Sequence, residues 1–347
     1  MVFAGEFWAG ASGLGLADGF RKQGWFVQTV DQDRYVGNFG RSYLARGMRR
    51  ITDKWAAEAF RQEILSACEL LKPDLFMTIK GIHVEANMLE KIRSLGTKTA
   101  IFYPDVDFAH ANVAFDSFKH YAHILTTKKF HLEPLRQSLA PEKVDFVHHG
   151  YSSAVHRPVF SGLTEADTTA DVLHVGTYSP YKEQWLAPIV ERLPGVSLNI
   201  IGDQWQEAVA GRPIAKAVYG KGIVGVGYPI AIQTAKINVA ILYGPTASGW
   251  QDSVSTRSFE IPACRGFMLH IDNDEIRSLY TVGEEIDVFA SSEELVDKIR
   301  FYLAQPDLRA NMVARAYQRC VPAYSYDARA MEILKKIEKT TSGLTKS

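Results

Sequence analysis

The hydrophobic pattern alternates between two kinds of segment. Short apolar runs, bounded by Gly or Pro, are followed by longer stretches whose apolar positions recur at helical spacing. The runs Met1–Ala4, Trp25–Val30, Pro73–Ile79, Thr99–Tyr103, Ile124–Thr127 and Val144–Val147 predict strands. Leu16–Gln23, Trp55–Leu71 and Val84–Leu95 predict the helices between them. Gly5–Gly15 reads as a glycine-rich turn joining the first strand to the first helix. From His156 to Ala170 the composition turns polar and small, which reads as a linker. The alternation then resumes: strands at Asp171–Val175, Val196–Ile201, Ile237–Leu242 and Phe267–Ile271, with a helix at Glu183–Leu193. Helices follow at Ile276–Tyr280, Ser292–Ala304 and Asp307–Arg319, and an amphipathic helix closes the chain. Strand and helix in alternation indicate mainly parallel sheets covered by helices on both faces.

Length turns this into two domains, because 347 residues exceed what one hydrophobic core usually serves. The expected division is a first domain over 1–155, a linker over 156–170, a second domain over 171–325, and a helix with tail over 326–347 that packs back on the first domain. Composition removes several function classes. Hydrophobic residues make up 46% and charged residues 22%, as in an ordinary globular protein, so disorder is not expected. Lys plus Arg and Asp plus Glu both number 39, leaving no global field for a nucleic-acid partner. Cys68, Cys264 and Cys320 are far apart, form no zinc pattern and suit a reducing compartment. With no membrane span or export signal expected, the reading is cytoplasmic. Arg41, Arg46, Arg49 and Arg50 form a basic cluster that is either a solvated helix face or a peripheral membrane contact.

Candidate chemistry collects at strand ends. Asp105, Asp107 and His110 follow Tyr103, where open α/β sheets bind ligands; they could hold a divalent metal, act in proton transfer, or cap the next helix. Gly13 lies in the first glycine turn, which either admits a ligand or packs a helix closely. His149 sits beside Gly150 at another strand end. The densest signal is Ser253 to His270. Arg257 and Glu260 are three apart at the start of a predicted short helix, sharing one face, and Cys264-Arg265-Gly266 closes it. Arginine at a helix start adds to an anion site, and a carboxylate one turn on can accept paired hydroxyls. The same spacing also describes a plain surface ion pair.

The run Thr256-Arg257-Ser258-Phe259-Glu260-Ile261-Pro262-Ala263-Cys264-Arg265-Gly266 resembles the T-R-x-F-E-x-x-A-C-G signature of the CgeB-like glycosyltransferases, departing from it in the inserted Arg265. Gly176-Thr177-Tyr178-Ser179-Pro180-Tyr181-Lys182 is similar to the element that opens the nucleotide-binding domain of GT-B transferases, and Gly202 to Trp205 to the family's G-x-x-W bend, which frames the base. Asp252 stands eight before Glu260, as in the E-x7-E pair of retaining enzymes of the same fold. The likeness is continuous over about residues 172–335 and loose before them.

The resemblance implies the GT-B fold: two Rossmann-like domains with parallel sheets facing a central cleft. It implies transfer of a sugar from a nucleotide-diphosphate donor to a hydroxyl acceptor on a glycan, protein or small molecule, with retention and without metal or other cofactor. In that scheme Arg257 and Lys182 stabilise the leaving diphosphate, and Glu260 and Asp252 hold ribose or sugar hydroxyls. Asp105 or Asp107 orients the acceptor. Gly176, Thr177, Gly202, Trp205, Ser255 and Thr256 line the donor side, with Gly13, His110 and His149 as further contacts. The alternatives are a nucleotide-sugar epimerase of the same fold and a non-catalytic sugar- or nucleotide-binding protein.

Overall fold

The structure, a computed structural model, describes residues 1–35, 43–108 and 112–344, with side chains outside 43–52 and 340–344. The chain forms two units, Met1–His148 with Tyr326–Ser347, and His149–Ser325.

In unit 1 the chain order is β1 (Val2–Gly5), α1 (Ser12–Lys22), β2 (Gln28–Asp31), α2 (Tyr43–Leu71), β3 (Leu75–Ile79), α3 (Ala86–Ser94), β4 (Lys98–Tyr103), β5 (His123–Thr126), α4 (Leu132–Ser138) and β6 (Val144–Phe146). The strands make one parallel sheet in the order β2-β1-β3-β4-β5-β6. Near-continuous apolar strands are what a sheet covered on both faces requires. Val2, Ala4, Phe76 and Ile101 pack under α2 and α3 through Phe60, Ile64 and Leu89, while Phe3, Met77 and Phe102 meet Leu16 and Phe20 of α1.

Unit 2 runs β7 (Ala170–Val175), α5 (Pro180–Arg192), β8 (Leu198–Ile201), α6 (Trp205–Ala208), β9 (Val218–Gly220), α7 (Gly227–Gln233), β10 (Ala235–Ala240), α8 (Arg257–Ala263), β11 (Met268–Ile271), α9 (Asp274–Leu279), β12 (Asp287–Phe289), α10 (Ser292–Leu303) and α11 (Pro306–Cys320). Its sheet is also parallel and six-stranded, in the order β12-β11-β10-β7-β8-β9. The last helix, α12 (Tyr326–Leu344), belongs to unit 1. It lies on α1, where a Cβ on Gly15 would come within 2.5 Å of the Tyr326 ring and one on Gly19 within 2.7 Å of the Tyr326 carbonyl. Glycine inside a helix costs roughly 0.5–1 kcal/mol relative to alanine, and here that loss admits a second helix.

Several elements differ from the pattern-based reading. The helix α1 begins at Ser12, so Gly13 and Gly15 are helical and the turn is shorter than Gly5–Gly15. The edge strand β12 had no pattern: Asp287 sits in it, its charge met by Lys298 at 2.9 Å and by the Tyr302 hydroxyl at 2.8 Å. Residues 156–170 are tied down within unit 2. The Gln233 side chain accepts from the backbone N–H groups of Val159 and Phe160, and Glu165 pairs with Arg309. No helix among the described residues is long and apolar enough to cross a membrane.

Candidate functional site

In an open parallel sheet, a crevice forms where strand order reverses, outside the carboxyl ends of the strands. In unit 2 that point is β7, with β8 and β9 laid down on one side and β10 to β12 on the other. The strand leads straight into Gly176 and Thr177, and the chain returns as α5, whose N-cap Ser179 accepts from the Lys182 backbone N–H at 3.3 Å. Lys182 thus lies in the first turn of α5, with its side chain folded back over the loop. Its Nζ donates to the Thr177 carbonyl at 2.8 Å.

Two contacts fix the turn from behind. Trp205, fully buried, donates Nε1 to the Gly176 carbonyl at 2.8 Å. Gly202 lies so close that a Cβ there would fall 1.9 Å from the same carbonyl oxygen, a position no side chain can take. Trp205 is therefore a strut within the unit's core.

Arg257 reaches the turn from the first residue of α8. Its Nε donates to the Val175 carbonyl at 3.1 Å, and its Nη1 donates to Thr256 Oγ1 at 2.9 Å and Glu260 Oε2 at 2.7 Å. Ser255 Oγ accepts from the Arg257 backbone N–H at 3.3 Å. The arginine side chain keeps 32% of its surface exposed while the Glu260 carboxylate is nearly enclosed, at 5%. The carboxylate is thus the buried anchor and the guanidinium the presented group.

Burial pushes the Glu260 carboxyl upward, but Arg257, then His156 and Tyr228, outweigh it and hold the group below its ordinary range. His156 Nδ1 accepts from the Ser152 backbone N–H at 3.1 Å, so its proton is on Nε2, which faces Glu260 Oε1 at 3.7 Å. Burial keeps that imidazole neutral. The same effect acts on Lys182: burial, then the nearby Arg257 charge, lowers its ammonium to about 8, against a partly offsetting Asp252. Gly176, Thr177, Lys182 and Arg257 therefore form one electropositive turn, partly offset by Asp252 and backed by the buried Glu260 carboxylate.

In unit 1 the order reverses between β1 and β3. Glu6 follows β1, and Lys80 follows β3 in the left-handed region, φ 62°. Lys80 Nζ is 3.5 Å from Glu6 and 3.9 Å from Asp105, which follows β4. The segment 104–107 is gripped on three sides. Tyr103 donates to the Asp107 carbonyl at 2.5 Å, Thr127 to the Pro104 carbonyl at 3.2 Å, and His131 Nε2 to the Val106 carbonyl at 2.9 Å.

With this geometry in hand, comparison with known proteins is informative. Residues 180–335 match the model of the family described as glycosyl transferase-like. No curated protein matches the sequence. Sucrose-phosphate synthase from Thermosynechococcus elongatus superposes with a TM-score of 0.67 at 12% identity, covering 99% of each chain. A glycosyltransferase from Rickettsia africae gives 0.64 at 11% identity, covering 98% of each. HepE of Anabaena in complex with UDP gives 0.62 at 11% identity, covering 97% of this chain and 99% of that one. The fold is GT-B.

Within this GT-B chain the expected residues fall into two sets. Unit 2 brings together Gly176, Thr177, Lys182, Gly202, Trp205, Asp252, Ser255, Thr256, Arg257 and Glu260, and also begins with His149, which is buried. Unit 1 holds Asp105 and Asp107 together at its strand end. Gly13 is elsewhere in unit 1, inside α1, where a Cβ would strike the Glu6 carbonyl at 2.3 Å; its bareness serves packing. His110 and Arg41 lie outside the described residues, as do the side chains of Arg46, Arg49 and Arg50. His156, His174, Glu6 and Lys80 were not nominated by sequence. Glu6 and Lys80 carried a usable signal, each directly following a strand on either side of the reversal. His156 carried none, lying in the stretch read as linker.

Proposed function

We propose that the protein is a glycosyltransferase that moves a sugar from a nucleotide-diphosphate donor, bound by unit 2, to a hydroxyl acceptor bound by unit 1. One observation carries this reading: Lys182 and Arg257 converge on the Gly176 turn at the strand-order reversal of unit 2. Two cations at such a turn suit a diphosphate, and they gain most as negative charge develops on the leaving group. HepE, the Anabaena structure with the same fold, was solved with UDP and with UDP-glucose, which supports a nucleotide-sugar donor here.

Loss of the diphosphate needs no metal where two fixed cations meet it, so the proposed reaction is metal-independent. The spacing from Asp252 to Glu260 favours retention, and a hexose is the proposed sugar. The CgeB-like subfamily fits the run Thr256 to Gly266. On the acceptor side, Asp105, with Lys80 and Glu6 beside it, is the proposed group that orients the hydroxyl. The test is thermal shift with UDP, GDP, dTDP and CMP, followed by transfer assays with the stabilising base. One nucleoside diphosphate should raise the unfolding temperature, and Arg257→Ala or Lys182→Met should abolish that rise and cut turnover by roughly 100-fold or more. No stabilisation by any nucleotide, or normal turnover in both variants, refutes the proposal. Donor incubated alone and returned as an isomer would make the enzyme an epimerase.

A further inference from the structure

His174 lies on β7, two residues before Gly176, and is 1% exposed. Its Nδ1 is 2.9 Å from the Val239 carbonyl of β10. A carbonyl only accepts, so Nδ1 carries the proton and Nε2 the lone pair. Nε2 has no hydrogen-bond partner. It is aimed at the anion turn: a Cβ on Gly176 would lie 3.2 Å from His174 Nε2 and 3.1 Å from Lys182 Nζ, so the two nitrogens flank one bare face of that glycine. Leaving a buried acceptor unmet is unfavourable, and an apolar residue would fill this place on the strand without that cost.

We propose that His174 is a positioning residue of the anion site, its neutral, unpartnered Nε2 offering the Lys182 side chain an acceptor beside the bare face of Gly176. The inference rests on reading that turn as the diphosphate subsite. The groups facing Lys182 are Arg257 from α8, Asp252 from the segment before it, the Tyr243 ring beyond β10, and His174 from β7. Burial and Arg257 act against the ammonium and Asp252 acts for it; on the proposal, the His174 lone pair acts in the same sense as Asp252. Burial, with the Lys182 charge next, takes the imidazole down to about 3, so His174 remains an acceptor at working pH.

His174→Asn retains a donor for the Val239 carbonyl and removes the acceptor at Nε2, whereas His174→Gln places an amide at the Nε2 position. The measurements are UDP affinity by calorimetry at about pH 6.5 and about pH 8.5, and the Lys182 titration by NMR of lysine-labelled protein, its resonance identified with Lys182→Met. In H174N the Lys182 midpoint should fall by roughly half a unit. UDP affinity should match wild type at the lower pH and weaken roughly threefold at the higher, with H174Q recovering both. His174→Met, similar in volume, replaces H174N if the latter does not fold. An unchanged midpoint and parallel pH profiles overturn the proposal, as does an H174Q no better than H174N. If wild-type protein fails to bind UDP, the subsite reading falls, while the Lys182 midpoint still decides the role of His174.

Discussion

Replacing Glu260 by Gln tests whether the buried carboxylate is the anchor of the site. The change keeps shape and removes charge, leaving Arg257 Nη1 facing a neutral amide where it now has a carboxylate oxygen at 2.7 Å. Breaking a buried ion pair from one side costs about 3–5 kcal/mol. Arg257 retains 32% side-chain exposure, so water recovers part of that, and a loss of roughly 1–3 kcal/mol is expected. For a unit of this size that is a fall in Tm of roughly 3–8 °C, read by calorimetry or by tryptophan fluorescence.

The pH dependence gives the sharper test. Glu260 is held below its unfolded value, so its contribution is complete above the ordinary carboxylate pKa and is lost as pH falls through the depressed folded one. Wild type and Glu260→Gln should therefore differ near neutrality and converge in acid. UDP affinity should fall about 10-fold, because Arg257 keeps Val175 and Thr256 but loses its charged partner. A variant as stable as wild type at neutral pH, or a gap that persists unchanged in acid, would refute the anchoring role.

Three further outcomes follow from the same site. Burial and Arg257 lower the Lys182 ammonium to about 8, so nucleotide affinity should be full below that value and decline as pH rises through it; Lys182→Arg should flatten the decline in a calorimetric pH series. Gly202→Ala places a Cβ 1.9 Å from the Gly176 carbonyl oxygen and should cost at least about 3 kcal/mol by denaturant unfolding, together with nucleotide binding. Trp205→Phe removes the bond from Nε1 to that carbonyl at 2.8 Å and should cost roughly 1–2 kcal/mol, with a measurable loss of UDP affinity. A Trp205→Phe variant that binds UDP as wild type would show that the strut does not order the turn.

The strands were legible because a sheet covered on both faces demands apolar runs, and each run sits within a few residues of its place. What failed was local chemistry overridden by tertiary packing. Gly13 and Gly15 read as part of a turn that either admits a ligand or packs a helix closely, yet they lie inside α1, bare because the Glu6 carbonyl and the Tyr326 ring leave no room for a side chain. Asp287 concealed β12, since a carboxylate reads as loop unless Lys298 and Tyr302, from the next helix, are known to meet it. Arg257 and Glu260 were legible as a pair from spacing alone. Their assignment of roles was not, because it depends on which of the two is enclosed.

The inserted Arg265 shows how a departure from a motif is absorbed. Helix α8 ends at Ala263, and Arg265 takes the left-handed position after it, φ 59°, where glycine is usual. Its guanidinium lies 4.6 Å from the Tyr317 ring centroid, a contact worth about 0.5–1 kcal/mol that offsets part of the backbone cost. The next residue must then be glycine for a separate reason: a Cβ on Gly266 would meet Ile232, Asn238 and Ile261 within 2.9 Å, where the chain enters β11. Closing the helix and entering the strand are thus divided between two residues, and Arg257, at the other end of α8, keeps its bond to the Val175 carbonyl of β7. The extra residue sits at the C-terminal end of α8, whereas the turn after β7 is met by the first residue of that helix.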